Sequence, residues 1–177
     1  MRVTVALKSE MGPLMKEYVS FLTNILSRVC NNPKNPLFNR LLFESYATVI
    51  KFNPQSVEAF ENALLPTFLE ILKAEIEEFT PFVFQILSQL LEIRESASET
   101  YLKILPSLLE PHIWENTGNI PGLVRLLTLY LKKSQELIIK QGYLEKFLGI
   151  FQKLVFSKIH DHEGFYILNA IIEYLSM

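Results

Sequence analysis

The 177-residue sequence has one cysteine, Cys30, one aspartate, Asp161, and only six glycines. A single cysteine excludes an intrachain disulfide and a zinc site built from cysteines, and it is typical of a reducing, intracellular setting. The shortage of aspartate and glycine favours helix, because aspartate competes for backbone hydrogen bonds and glycine loses conformational entropy in a helix. All the other acidic residues are glutamates, which tolerate helix interiors.

Long apolar runs and an excess of positive charge are also absent. No segment approaches the roughly 20 apolar residues that span a membrane, and the N-terminal apolar run is too short for a secretory signal. The 17 Lys and Arg residues are balanced by 19 acidic residues, which gives a net charge of −2. We therefore expect a soluble chain of the cytosol or nucleus, without direct nucleic-acid binding and without membrane insertion.

Motifs for catalysis and phosphate binding are scarce. Neither Gly-x-Gly-x-x-Gly nor Gly-x-x-x-x-Gly-Lys occurs. The run His160–Glu163 offers metal-binding side chains, but it spans a predicted helix start, so we favour an N-cap at Asp161 over a metal site. His112, beside Trp114, and a buried Cys30 thiol are more typical of packing than of catalysis. We predict no enzymatic activity, cofactor or metal, and an all-helical enzyme is a distant alternative.

Hydrophobic residues make up 49% of the sequence and include thirteen phenylalanines. Eight of these share helical spacing with Leu and Ile, which favours the core over a binding groove. They are Phe43, Phe60, Phe68, Phe79, Phe82, Phe84, Phe147 and Phe151.

Four segments of the chain begin alike, with spacings of 45, 40 and 41 residues. They start at Pro36, Pro81, Pro121 and His162. Proline suits the first turn of a helix, because its missing N–H would be unpaired there. Asn35, Thr80 and Asp161 precede three of these segments as candidate N-caps.

Each segment follows another helical pattern, at residues 14–30, 56–73, 99–109 and 135–156. Pro66 and Pro106 lie inside such patterns, so we expect a bend or a late helix start there. The repeat length falls in the range of about 40–47 residues that is typical of HEAT and armadillo repeats.

We therefore predict an all-α fold, a right-handed α–α superhelix (HEAT-repeat solenoid) with about four helical hairpins. The predicted repeats are residues 13–52, 56–93, 99–132 and 135–176. Because the sequence stays apolar to its last residues, we expect residues 1–177 to form a single segment of a longer solenoid.

Two blocks of the sequence resemble a known protein family. Residues 114–127 read Trp-Glu-Asn-Thr-Gly-Asn-Ile-Pro-Gly-Leu-Val-Arg-Leu-Leu. Residues 151–154 read Phe-Gln-Lys-Leu, and residues 161–173 read Asp-His-Glu-Gly-Phe-Tyr-Ile-Leu-Asn-Ala-Ile-Ile-Glu. Both blocks are similar to stretches of the CAS (cellular apoptosis susceptibility, exportin-2) family of export receptors for importin-α. Weaker similarity, including residues 32–36 and 81–85, extends over nearly the whole chain.

This resemblance implies a receptor of the importin-β superfamily (karyopherins). Such a receptor binds importin-α cooperatively with Ran-GTP and exports it from the nucleus to the cytoplasm, so it shuttles between the two. The receptors of this family are several times longer, so the chain would be a central piece without the amino-terminal region that binds Ran.

In HEAT solenoids the second helix of each hairpin generally lines the concave, partner-binding face. The polar positions of those helices are our candidate partner-binding residues: Arg40, Glu44, Gln85, Arg125, Asn169 and Glu173. Two alternatives stay open. These residues could instead form polar ladders between repeats or a solvated surface, and the chain could be a generic HEAT-repeat scaffold in another complex.

Overall fold

The computed structural model describes the backbone of residues 12–175 and the side chains of residues 17–175. The first hairpin consists of α1 (Gly12–Cys30) and α2 (Pro36–Phe52), and the second of α3 (Val57–Lys73) and α4 (Thr80–Ile93). A 3₁₀ turn, Pro54–Ser56, connects the two hairpins.

The third hairpin consists of α5 (Glu99–Leu108) and α6 (Ile120–Lys133), joined by two 3₁₀ turns, Pro111–Trp114 and Thr117–Asn119. Three helices follow it, α7 (Gln135–Lys140), α8 (Leu144–Phe156) and α9 (Asp161–Leu175). No strand occurs within residues 12–175, and the predicted all-α fold of helical hairpins is confirmed.

The prediction of one helix over residues 135–156 is wrong, because the chain turns between α7 and α8. Gly142 has φ +68°, a left-handed conformation that ends α7. The backbone N–H of Gly142 donates to the Ile139 carbonyl at 3.1 Å, and that of Tyr143 donates to the Ile138 carbonyl at 3.0 Å. This pair of bonds is a Schellman motif, which closes the C-terminus of a helix.

The chain divides into two compact units, Met1–Ile93 and Arg94–Met177. The boundary falls between the second and third predicted repeats. Whether residues 1–177 form one continuous repeat segment therefore stays a prediction.

Within the first unit, like helices of the two hairpins pack side by side. Helix α1 packs against α3, and α2 packs against α4, so each hairpin covers an apolar face of the other. The Phe43 ring lies at the centre of this core and stacks on the Phe82 ring with 5.1 Å between centroids. Phe79 and Phe68 contact the same ring at 5.7 and 6.3 Å.

Within the second unit, α9 packs against both α6 and α8, and α7 packs against α6. The Tyr130 hydroxyl of α6 donates a hydrogen bond of 2.7 Å to the Tyr101 carbonyl of α5. Both tyrosines are fully buried. This bond therefore satisfies a polar group that the core would otherwise leave unpaired.

The predicted core phenylalanines are confirmed for the most part. Six of the eight are buried, whereas Phe82 and Phe151 are half-buried. Within the described residues, no helix combines the length and the apolar character needed to cross a membrane.

The N-cap predictions have mixed outcomes. Asn35 caps α2 as predicted, because its side-chain oxygen accepts from the Phe38 N–H at 3.1 Å. Thr80 is not a cap: it lies inside the first turn of α4, where its hydroxyl donates to the Ile76 carbonyl at 3.0 Å. Asp161 is the first residue of α9 rather than its cap, although its carboxylate accepts from the His162 N–H at 3.0 Å.

The two internal prolines do not delay their helices. Pro66 and Pro106 lie inside α3 and α5, so the expectation of a late helix start is wrong. The expected bend stays a prediction.

Candidate partner-binding surface

In the first unit, the candidate residues Arg40 and Glu44 form an ion pair one helical turn apart on α2. The Arg40 Nε atom lies 2.7 Å from Glu44 Oε1, and the two side chains are 67% and 43% exposed. The hydrogen bond to Glu44 raises the pKa of the Arg40 guanidinium. Because water competes for both charges, an exposed pair of this kind contributes little to stability, and a partner can compete for either side chain at little cost.

Gln85, the third candidate of this unit, is exposed on α4. One turn further along, the half-buried Gln89 donates from Nε2 to the Ala47 carbonyl of α2 at 2.8 Å. This bond is a polar ladder between neighbouring hairpins, but it is made by Gln89 and not by Gln85.

In the second unit, the candidates lie on two helices that pack together. Arg125 is exposed on α6, and Asn169 and Glu173 are exposed one turn apart on α9. A hydrogen bond to Glu173 raises the pKa of Tyr174. The six candidates thus form two groups, one in each unit, and all of them are accessible or partly accessible to a partner.

Apolar side chains accompany the polar candidates and were not predicted to be exposed. On α2, Leu37, Phe38 and Leu41 are 67%, 43% and 48% exposed. On α9, Phe165 and Ile172 are half-exposed. The sequence does contain a signal for these exposed side chains. Helices α2 and α9 each have more apolar residues per turn than one buried face can hold.

A groove of about 840 Å³ is lined by residues of α1, of α3 and of the 3₁₀ turn before α3. Hydroxyl, amide and small apolar side chains line it: Val19, Ser20, Thr23, Asn24, Ser27, Ser56, Ala59, Phe60, Asn62 and Ala63. None of these side chains titrates near neutral pH, so the groove offers no group for acid–base catalysis.

The first block of family resemblance, residues 114–127, contains residues that stabilise the fold. The Trp114 indole N–H donates to the Leu108 carbonyl at 2.9 Å, and the Asn119 side-chain amide donates to the Ile113 carbonyl at 3.1 Å. Trp114 and Asn119 are both buried. These two residues stabilise the turn between α5 and α6. The turn fixes where α6 begins, and α6 carries Arg125.

Within the described residues, no group of three or more His, Cys, Asp or Glu side chains is arranged to hold a metal ion. His160 Nδ1 lies 3.8 Å from Glu163 Oε2, and His112 is exposed. Cys30 is half-buried rather than fully buried. Burial and the nearby Glu70 carboxylate raise the pKa of the Cys30 thiol, which favours the protonated form over the nucleophilic thiolate.

Comparison with known proteins gives one consistent result. The family described as "CAS/CSE protein, C-terminus" matches residues 1–177. The protein "Exportin-2" of Oreochromis niloticus is 45% identical over 182 residues, and that of Homo sapiens is 41% identical over 182 residues. Each alignment covers 99% of this chain and 19% of the relative.

A solved structure is similar over the same length. It is described as "The exportin Cse1 in its cargo-free, cytoplasmic state", has 31% sequence identity, and superimposes with a TM-score of 0.90. The alignment covers 98% of this chain and 19% of that chain. The chain therefore spans about a fifth of the length of the relatives that it matches.

Proposed function

The chain belongs to the CAS/CSE family, and on that basis we propose that it is a segment of a nuclear export receptor. The proposed receptor binds importin-α cooperatively with Ran-GTP in the nucleus, carries it to the cytoplasm and shuttles between the two compartments. The observation that supports this function most strongly is 41–45% identity to proteins named Exportin-2 over nearly the whole chain. We propose a binding role without catalysis, cofactor or direct nucleic-acid contact.

In the proposed mechanism, the arrangement of the stacked hairpins couples the binding of one partner to the binding of the other. If two partners both favour one arrangement, each raises the affinity of the other by the same factor. Two of the polar contacts between neighbouring helical elements suit small adjustments, because each is a single hydrogen bond to a backbone carbonyl. In the first unit Gln89 bonds to Ala47 at 2.8 Å, and in the second Lys153 bonds to Pro111 at 2.9 Å.

The partner contacts are proposed to come from the exposed sides of α2 and α4 in one unit and of α6 and α9 in the other. On α2, the weak Arg40–Glu44 pair is flanked by the exposed Leu37 and Leu41. Apolar side chains beside exchangeable charges are the usual composition of a protein interface, where the apolar groups give affinity and the charges give specificity.

The direct test is a binding titration with the complete receptor immobilised and the 177-residue chain immobilised in parallel. Importin-α is titrated in the presence and absence of GTP-loaded Ran. Binding that needs both proteins is the expected result for the complete receptor. Importin-α binding that is indifferent to Ran-GTP would contradict cooperative export. Binding of neither protein, by this chain or by the complete receptor, would favour the generic HEAT-repeat scaffold.

Charge reversal in the complete receptor tests the candidate residues. Arg40→Glu together with Arg125→Glu is expected to weaken the ternary complex about tenfold, or ~1.4 kcal/mol, while the circular dichroism spectrum stays unchanged. Wild-type affinity in this double variant would remove both arginines from the interface.

A matched control separates partner contact from local helix effects. Arg40→Glu alone places two acidic side chains one turn apart on α2, whereas the exchange Arg40→Glu with Glu44→Arg keeps an ion pair at the same positions. If the partner contacts the charges at positions 40 and 44, the exchange variant binds as weakly as the single variant. Full recovery in the exchange variant would assign the loss to α2 itself.

A further inference from the structure

We infer that α7 is a flap that opens independently of the helices around it. This helix has only six residues, Gln135–Lys140, and connects the third hairpin to α8. Isolated helices shorter than about 12 residues are unstable in water, so α7 depends on the contacts that dock it. It packs against α6 and α9, both within the second unit.

Helix α7 is docked by one fully buried side chain, with the half-buried Leu137 beside it in sequence. Ile138 is fully buried and is the only buried residue of α7. Its neighbour Ile139 is 54% exposed, and Glu136 and Lys140 are exposed as well. Helix α7 therefore buries much less apolar surface than α6 or α9, and segments with few buried contacts open at low free-energy cost.

A polar cavity lies beside the first turn of α7. Its volume is about 350 Å³, and its lining residues are Ala97, Leu102, Lys132, Lys133, Ser134, Gln135, Glu136 and Leu137. The Ser134 hydroxyl is shielded from bulk solvent, and no hydrogen-bond partner for it occurs among the described residues. Because polar cavities of this size admit water, the docked side of α7 is only partly sealed by apolar packing.

Both ends of α7 have the backbone geometry of a hinge. Ser134, with φ −143° and ψ 34°, ends α6, and Gly142, with φ +68°, ends α7. The helical bonds of α6 and α8 stop at these points, so both helices can persist while α7 is undocked. In the open state residues 134–143 form a linker of ten residues, which can reach about 33 Å and places no strain on the packing of α6 against α9.

Hydrogen exchange of the backbone amides tests this proposal directly. The bonded amides of Ile138, Gln141 and Tyr143 are expected to exchange at least 100-fold faster than those in the middle of α6 and α8. Their exchange should also be insensitive to low concentrations of denaturant, because local opening exposes little surface. Equal protection in all three helices, with equal response to denaturant, would overturn the flap.

The role of Ile138 in docking α7 is tested by a matched pair of variants. Ile138→Ala is expected to accelerate exchange in α7 tenfold or more and to leave α6 and α8 unchanged. Ile139→Ala makes the same chemical change at the exposed neighbour and should alter exchange in α7 by less than threefold. Equal acceleration in all three helices by Ile138→Ala would place Ile138 in the global core and contradict the proposal.

A second pair of variants tests the hinge at the C-terminal end of α7. It stays informative if Ile138→Ala fails to fold. A β-carbon at Gly142 or at Gly149 meets no atom within 4 Å, but only Gly142 has positive φ. Gly142→Ala should therefore accelerate exchange in α7 severalfold, whereas Gly149→Ala should not. Unchanged exchange in Gly142→Ala, despite its weakened C-terminal cap, would show that α7 opens only with the whole unit.

Discussion

Individual residues at the helix ends carry backbone conformations that their side chains disfavour. Three described residues have clearly positive φ: Glu75 at 51°, Lys158 at 58° and Gly142 at 68°. Glu75 closes α3 with the same bond pattern as Gly142 closes α7, since Glu75 N–H donates to Leu72 and Ile76 N–H to Ile71. Only one of the three is the glycine that this position favours.

Glu75→Gly is therefore expected to stabilise the first unit by about 0.5–1 kcal/mol, because glycine removes the strain of the β-carbon in the left-handed conformation. Urea unfolding followed by circular dichroism measures the change. Glu77→Gly is the control, since it removes a nearby carboxylate at a position without positive φ, where glycine should be neutral or destabilising. Equal effects of the two variants would show that charge, not backbone conformation, is responsible.

At the scale of elements, α8 and α9 approach each other closely at Gly164. A β-carbon on Gly164 would lie 3.0 Å from Val155 Cγ2, 3.2 Å from Leu154 Cβ and 3.3 Å from the Phe151 carbonyl oxygen. Two of these three neighbours are rigid parts of α8. The glycine therefore allows the helix contact on which α9 depends.

Gly164→Ala is expected to destabilise the second unit by about 1–2 kcal/mol, because the clash outweighs the gain of roughly 1 kcal/mol in helix propensity. Gly149→Ala in α8 is the matched control: its β-carbon meets nothing within 4 Å, so it should stabilise by up to about 1 kcal/mol. Thermal unfolding of the two variants compares them. A stabilised Gly164→Ala would mean that α8 and α9 separate easily.

The sequence predicted most of these elements because apolar periodicity and first-turn prolines are strong signals. It missed the break between α7 and α8, since a single glycine inside a helical pattern is ambiguous. It also misassigned Thr80, because α4 begins at this residue, at the end of a tight turn in which the Phe79 and Thr80 N–H groups both donate to the Ile76 carbonyl.

At the scale of the whole molecule, each unit buries a tyrosine hydroxyl. Burial raises the pKa of Tyr46 in the first unit, and burial together with the neighbouring Tyr101 raises the pKa of Tyr130 in the second. An unfolded tyrosine has a pKa of about 10. Above that pH the unfolded chain has lost protons that the folded chain keeps, so stability is full below pH 10 and falls as the pH rises further.

We expect the free energy of unfolding to decrease above pH 10 by up to about 1.4 kcal/mol per pH unit for each buried tyrosine. Urea titrations between pH 8 and pH 12 measure the slope. Tyr130→Phe should lower stability at pH 8 by about 1 kcal/mol, through loss of the bond to Tyr101, and should reduce the slope. An unchanged slope in this variant would show that Tyr130 does not titrate on unfolding.

Some properties of the candidate site could be predicted from the sequence, and others became known only from the structure. The sequence placed Arg40, Gln85 and Arg125 at polar positions of the second helices, which are expected to line a concave face, and the structure exposes all three side chains. It could not show that Gln89 rather than Gln85 ties α4 to α2, because that depends on the register between the two helices. Nor did it decide which apolar face of α2 is buried: Leu42 lies on the packed face, whereas Leu37, about 140° away around the helix, is exposed.

The sequence by itself determined the helical class, the hairpin repeat and the family, because these depend on periodicity and on residue order along the chain. Tertiary structure alone decided which apolar side chains stay exposed, how closely α8 approaches α9 at Gly164, and that Ile138 alone is buried on α7. These properties depend on which faces of separate helices meet, and that choice is made only when the helices pack.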